Sequence, residues 1–89
     1  MTLFQRSPQA MSAEVGADVV ALHAERGFAF GMEGVTASVW QLLDRPRSLA
    51  EIVAGLRLEY DVEEDQCRDE VGALLADLRD EGLIDEVTE

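Results

Sequence analysis

The fold of this chain is decided by the stretch Val39-Trp40-Gln41-Leu42-Leu43-Asp44, followed by Pro46-Arg47-Ser48-Leu49-Ala50-Glu51-Ile52 and later by Glu81-Gly82-Leu83-Ile84. Pro46 cannot continue a helix, because it lacks a backbone N–H and its ring clashes with the preceding turn. Ser48 and Glu51 have the spacing of a capping box, in which each side chain accepts a hydrogen bond from the other residue's backbone. The stretch therefore predicts one helix before Pro46 and another that starts at Ser48.

Apolar residues recur at helical spacing in three segments. We expect the first helix to begin near Gly34 and the third to be capped by Asp61, because Asp61 and Glu64 repeat the capping spacing. Gly82 is suited to end the third helix in the left-handed conformation. The residues predicted to face the core are Val35, Val39, Trp40, Leu42 and Leu43, then Leu49, Ile52, Val53 and Leu56, then Cys67, Val71, Leu74, Leu75 and Leu78, and finally Leu83 and Ile84.

Two short apolar runs precede the helices and predict a β-hairpin. They are residues 18–23 and 27–32, and Gly27 in the connection can adopt a positive φ. Alternation along the second run places Phe28, Phe30 and Met32 on the face toward the helices, with Ala29 and Gly31 on the other face. Residues 1–16 are expected to be a mobile lead-in with at best a short first strand near residues 3–5. The folded domain is then residues 17–86, with two or three strands before three helices, an α+β plan.

The composition indicates one small domain. The chain has 89 residues, 47% of them apolar, and no segment that resembles a secretory signal or a membrane span, so we expect a soluble cytoplasmic protein. The formal net charge is −12 and all seven cations are arginines. A chain that bound nucleic acid would present a basic surface. The third helix is instead acidic, with Glu63, Glu64, Asp65, Asp69, Glu70, Asp77, Asp80 and Glu81 against Arg68 and Arg79.

The sequence offers no pattern typical of catalysis, so the chain is not expected to be an enzyme. Its one cysteine, Cys67, is interpreted as an apolar filler, and its one histidine, His23, as a surface or edge residue. One His and one Cys do not make a metal site, and neither a calcium loop nor a phosphate loop is present, so no metal or cofactor is expected. A carrier protein is excluded too, because neither Ser38 nor Ser48 follows an aspartate. The acidic residues form a solvated face or dock a basic partner surface.

Peptide binding is the function that the pattern favours. If the second strand of the hairpin, residues 26–32, lies at the edge of the sheet, its unpaired backbone groups can accept an added strand. The third helix would then form the wall of the groove, although its apolar residues could equally be core. The predicted peptide-binding residues are Arg26, Phe28, Ala29, Phe30, Gly31 and Met32 on the strand, and Cys67, Arg68, Val71, Gly72 and Leu75 on the helix.

The sequence resembles the PqqD-like proteins, also called RiPP recognition elements, over about residues 15–85. The resemblance rests on Gly27-Phe28-Ala29-Phe30-Gly31, the tryptophan helix at residues 39–43, the segment at residues 48–52, and Gly82-Leu83-Ile84. It implies a winged helix-turn-helix-like fold that binds the leader of a ribosomally synthesised precursor peptide as an added strand, against the third helix. The chain departs from the family at Ala29-Phe30, where relatives often carry paired aromatics, and at residues 32–34, which puts leader specificity in question rather than the fold.

Within that family, the chain looks most like the free-standing leader-binding proteins of lasso-peptide biosynthesis, which deliver the precursor to a protease and a cyclase. The runner-up is a PqqD-type peptide chaperone for a radical S-adenosylmethionine enzyme of quinone-cofactor synthesis. A non-catalytic acidic adaptor and a winged-helix regulator remain alternatives from other classes. The expected partners are a leader peptide and a protease or other modifying enzyme, with no nucleic acid and no membrane, and the chain would be a monomer or weak homodimer.

Overall fold

The elements of the fold are seen in a computed structural model that describes residues 1–88. The expected hairpin followed by three helices is confirmed. None of the helices within these residues combines the length and apolar character that a membrane crossing requires. In chain order the elements are β1 (Thr2–Arg6), β2 (Ala10–Val15), β3 (Asp18–His23), β4 (Ala29–Met32), α1 (Gly34–Leu42), α2 (Leu49–Glu59), α3 (Glu64–Asp80) and β5 (Ile84–Thr88).

Strands β2, β3 and β4 form an antiparallel sheet in that order, so β3 is central and β4 lies at an edge. Residues of β3 alternate between the two faces: Val19 and Ala21 are buried, whereas Val20 and Leu22 are 43% and 41% exposed. The alternation predicted for the second strand of the hairpin is also present, because Ala29 and Gly31 are exposed while Phe30 is half-buried and Met32 is buried.

The amino-terminal part of the chain contains more structure than the sequence predicted. Residues 1–16 hold two strands rather than one short strand near residues 3–5, because β2 pairs along the whole length of β3. The short β1 pairs with β5, an additional strand that follows the helices. The pairing of β1 depends on a partner at the other end of the chain, which a local pattern does not show, whereas β2 joins β3 through a turn at Gly16 and Ala17.

The helix starts test the capping predictions. The capping box of α2 is confirmed: Ser48 Oγ accepts from the N–H of Glu51 at 3.2 Å, and Glu51 Oε1 accepts from the N–H of Ser48 at 3.0 Å. The predicted cap of α3 at Asp61 is wrong. Glu63 occupies that position, and its carboxylate accepts from the N–H groups of Gln66 at 2.9 Å and Asp65 at 3.1 Å.

Trp40 joins the amino-terminal strands to the helices. Its side chain is buried, and its indole N–H donates to Ser12 Oγ on β2 at 3.0 Å. The guanidinium of Arg6 on β1 lies 4.8 Å from the ring centroid and donates to the carbonyl oxygen of Trp40 at 2.6 and 3.2 Å. A buried aromatic with a satisfied N–H contributes both apolar area and orientation, so Trp40 stabilises the packing of β1 and β2 against α1.

One core lies between the inner face of the sheet and the three helices. Val35 was expected in it but is 43% exposed, because it lies in the first turn of α1, at the margin of the packed region. Leu42, Leu49 and Leu74 are only half-buried. The buried apolar residues are Val19, Ala21, Met32, Ala37, Val39, Trp40, Leu43, Ile52, Val53, Leu56, Cys67, Val71, Leu75, Leu78, Leu83 and Ile84.

Candidate functional site

The candidate site starts at strand β4, the edge strand of the three-stranded sheet. The backbone N–H of His23 donates to the carbonyl of Phe28 at 3.1 Å, so this pair is a hydrogen-bonded pair of the antiparallel ladder. Such pairs alternate along two strands with pairs that do not bond to each other. The register pairs Phe30 with Ala21 and Met32 with Val19, so both of these residues point their backbone groups at β3.

It follows that the backbone groups of Ala29 and Gly31 point away from β3, toward the free edge. Two N–H donors and two carbonyl acceptors are therefore available to an added strand. Both residues are exposed, and a Cβ placed on Gly31 would meet no other atom within 4 Å. The edge is thus accessible to another backbone.

His23, interpreted from sequence as a surface or edge residue, is the last residue of β3 and closes the turn before β4, but it is buried rather than at the surface. The side chain is 5% exposed, its ring stacks on Phe28 with centroids 5.8 Å apart, and Nδ1 accepts from the N–H of Arg26 at 3.0 Å. A histidine whose Nδ1 accepts a hydrogen bond carries its proton on Nε2 when neutral. His23 therefore has a structural role at the start of the edge strand.

Helix α3 lies beside β4 and runs in the opposite direction. At one end, the Arg26 guanidinium donates to the carbonyl oxygen of Asp80 at 3.3 Å, and Gly82 lies against His23. At the other end, the first turn of α1, which follows β4 directly, meets the earlier turns of α3 across a cleft. The four residues of β4 extend about 13 Å, the length of about nine residues of a helix. The candidate groove is the space between this strand and this helix, and the cleft lies at one end of it, with a lining that includes no residue of β4.

The cleft at the end of this groove has a volume of about 210 Å³. Leu56, Cys67 and Val71 are buried and form its floor, while Val35 and Val62 are 43% and 39% exposed at its rim. This volume and its apolar walls suit one or two apolar side chains. The residues that line it are Val35, Thr36, Leu56, Tyr60, Val62, Cys67, Glu70, Val71 and Leu74.

The strand residues predicted from sequence lie together at the edge. Ala29 and Gly31 are exposed there, Phe30 is half-buried, and Met32 is buried in the core. Arg26 stands at the end of the groove near the carboxyl end of α3. Phe28 is half-buried and stacked on His23, so its ring supports the turn.

The helix residues predicted from sequence divide into three groups. Cys67 and Val71 line the cleft, whereas Leu75 is 1% exposed and belongs to the core. Arg68 and Gly72 are not among the lining residues, and at about 100° per residue they lie on the side of α3 away from Glu70. Binding at these five positions stays a prediction.

Several lining residues were not singled out as ligand contacts in the sequence. Glu70 and Leu74 lie one helical turn apart, on the side of α3 that faces α1. Leu74 was predicted only as a core residue. Residues of α1, of α2 and of the loop before α3 complete the walls, and only the tertiary packing brings these segments together. The i, i+4 spacing of Glu70 and Leu74 at the edge of the apolar stripe was the one signal available in the sequence.

The site has the character of a binding surface. Within residues 1–88, Cys67 lies in the first turn of α3 and His23 lies beside Gly82, just past its end, so about 20 Å of helix separates the thiol from the imidazole. Nucleophile and base need hydrogen-bond contact to act together. What the groove offers is backbone hydrogen-bonding groups beside an apolar cleft, the arrangement that peptide strands occupy by β-augmentation.

Comparisons with known proteins identify a matching family and two similar solved structures. The profile of the family described as Coenzyme PQQ synthesis protein D (PqqD) matches residues 18–84. A structure of TbiB1 in complex with the TbiA(beta) leader peptide superposes with a TM-score of 0.88 at 27% identity, covering 96% of this chain and 99% of that chain. A structure of lasso peptide synthetase B1 complexed with the leader peptide superposes with a TM-score of 0.78 at 27% identity, covering 91% and 95%. Among curated proteins, no sequence match is found.

Proposed function

This chain belongs to the PqqD family, and on that premise we propose that it is a RiPP recognition element that binds the leader region of a ribosomally synthesised precursor peptide. The leader adds as a strand to β4, with its backbone bonded to Ala29 and Gly31. An apolar side chain of the leader enters the cleft between α1 and α3. The observation that carries the proposal is the free edge of β4, a strand that leads directly into the first turn of α1 at the wall of that apolar cleft.

Lasso-peptide biosynthesis is the pathway we propose for this leader. Both similar structures are leader-peptide complexes, and one of them is a lasso peptide synthetase B1. The two structures cover 96% and 91% of this chain, a larger share than residues 18–84, which the family profile matches. Quinone-cofactor synthesis is the second candidate, because it gives the matching family its description.

The protein acts in this proposal without catalysis. It holds the leader and presents the remainder of the precursor to a protease and cyclase, in the cytoplasm where ribosomal peptides are made. The wide separation of Cys67 from His23 supports a binding role. The acidic α3 argues against a winged-helix regulator, because a DNA-reading helix needs cations for the phosphates.

Presentation requires a surface for the partner enzyme, and the outer face of the sheet is suited to it. Met11, Val20 and Leu22 are 59%, 43% and 41% exposed there, and Met11 lies directly opposite Leu22 in the register of β2 and β3. Exposed apolar patches on a small acidic protein are typical of protein contacts. A leader strand added to β4 would extend this face by its own outward side chains.

The test is a binding titration. Fluorescein-labelled leaders encoded by precursor genes beside this gene are titrated with the protein, and anisotropy is recorded, with a scrambled leader and duplex DNA as controls. We expect saturable binding of one leader and neither control. Binding to none of the leaders would refute the recognition role, and binding of duplex DNA would favour the regulator.

A further inference from the structure

Glu70 is the single charged residue among the nine that line the apolar cleft. Its carboxylate Oε1 accepts a hydrogen bond from the side-chain amide of Gln66 at 3.2 Å. An amide is neutral, so this contact orients the carboxylate without cancelling its charge. A negative charge therefore stands at the rim of a site whose floor is apolar.

No arginine forms an ion pair with Glu70 among the described residues. Arg57 pairs with Glu64 at 3.5 Å and Arg79 with Glu86 at 3.0 Å, while Arg6 lies over Trp40. Arg68 lies on α3 but points to the side away from Glu70, because two residues rotate a helix by about 200°.

The other charges close to the cleft have the same sign as Glu70 except for Arg57, whose guanidinium is paired with Glu64. Glu59 precedes the lining residue Tyr60, and its Oε1 accepts from Ser38 Oγ at 3.1 Å. Glu63 follows the lining residue Val62. The first turn of α1 contributes the partial positive charge of a helix terminus, about half a unit, which these full charges outweigh. The electrostatic potential at the mouth of the cleft is therefore negative.

We propose that Glu70 makes the cleft selective for an apolar leader side chain that has a lysine or arginine within two positions of it. This inference rests on the leader binding proposed above. Two residues of an extended strand span about 6.6 Å, so a long basic side chain near the anchor can reach from the groove to the rim. The carboxylate is exposed, so the basic head group stays hydrated while its stem covers apolar wall.

The inference is tested with a double-mutant cycle on the leader that binds. The protein variants are Glu70→Gln and, as a matched control, Asp69→Asn, which removes the same charge one position away at a residue that does not line the cleft. The leader variants replace each Lys or Arg near an apolar residue by Gln. We expect Glu70→Gln to weaken the unmodified leader about two- to five-fold, as for an exposed ion pair, and to leave one Gln-substituted leader unaffected. Asp69→Asn should weaken all leaders equally and by less.

The outcomes distinguish a failure of the proposed selectivity of Glu70 from a failure of the proposed leader binding. Equal losses for Glu70→Gln and Asp69→Asn, on a leader that wild-type protein binds, would overturn the selectivity and leave leader binding intact. A bound leader with no basic residue within two positions of an apolar one would overturn it as well. Absence of binding by wild-type protein would instead refute the recognition role itself. A rise in salt that weakens wild type more than Glu70→Gln would support the pairing.

Discussion

Gly31→Pro tests whether the leader adds to β4 as a strand. The ladder phase set by His23 and Phe28 directs the N–H of Gly31 to the free edge, so proline removes a donor that bonds nothing within the fold. Proline is tolerated in edge strands at such positions, and the preceding Phe30 already has the extended conformation that proline requires. The fold should therefore survive while the edge loses one hydrogen-bonding site.

The magnitude follows from the loss of one backbone hydrogen bond. Its removal costs about 1–3 kcal/mol when the carbonyl of the leader is left without a donor, since the proline ring also prevents water from replacing it. This free energy corresponds to a loss of affinity of about 5- to 150-fold. Gly31→Ala is the matched control, because it retains the N–H and its Cβ meets open space. We expect it to bind as wild type does.

Anisotropy titration of the labelled leader gives the affinities, and circular dichroism checks the fold. Phe30→Pro provides a check on the phase of the ladder, because the N–H of Phe30 points at β3 and its loss should destabilise the hairpin. A folded Gly31→Pro variant with wild-type affinity would refute strand addition at this edge. A Phe30→Pro variant as stable as wild type would show that the phase is reversed.

Three further predictions concern the cleft and the helix caps. Leu74→Glu, in the cleft, should weaken leader binding by about ten-fold, or about 1.4 kcal/mol. Leu58→Glu is the control, because Leu58 is 91% exposed and lies outside this cleft, and it should bind as wild type does. Equal affinities of the two variants in anisotropy titrations would exclude the cleft as the anchor site. Ser48→Ala should lower the free energy of unfolding by about 1 kcal/mol and Tm by about 4–8 °C, with Ser48→Thr closer to wild type by calorimetry; an unchanged Tm would contradict the capping box. The pKa of Glu51 is lowered below its ordinary 4.5 first by the hydrogen bond from the Ser48 backbone N–H, and the pKa of Glu63 is lowered by the N–H groups of Gln66 and Asp65. The stability that these carboxylates contribute is therefore full above pH 4.5 and is lost as pH falls through their folded pKa values. Urea unfolding of wild type with no such decline, or the same decline in a Glu51→Gln, Glu63→Gln variant, would contradict this.

The local features of the fold could be predicted because their causes lie within a few residues. Pro46 separates two helices, Ser48 and Glu51 satisfy each other's backbone, and Gly82 adopts φ +78 at the end of α3. The cap of α3 shows the limit of such reasoning. Asp61 and Glu63 both precede the helix as acidic residues, and only the structure shows that the carboxylate of Glu63 accepts from the free N–H groups of the first turn.

The candidate site could be predicted only in part. Alternation along β4 placed Ala29 and Gly31 together, and the order of the hairpin made β4 an edge candidate. Which backbone groups point outward depends on pairing with β3. The cleft depends on the approach of α1, α2 and α3. Arg68 and Gly72 were predicted to form its wall, but they are not among the lining residues. Helical periodicity gives the angles between residues of one helix but not the orientation of that helix toward its neighbours.

By itself, the sequence determined that this chain is a small acidic α+β domain with a glycine-containing edge strand and three amphipathic helices, because propensity, capping and periodicity act between near neighbours. It also carried a family resemblance that the family match confirms. The tertiary structure alone decided the pairing of β1 with β5, the burial of His23 and the placing of Glu70 at the rim of an apolar cleft. These features join residues distant in the chain, and their free energies exist only once the segments have packed together.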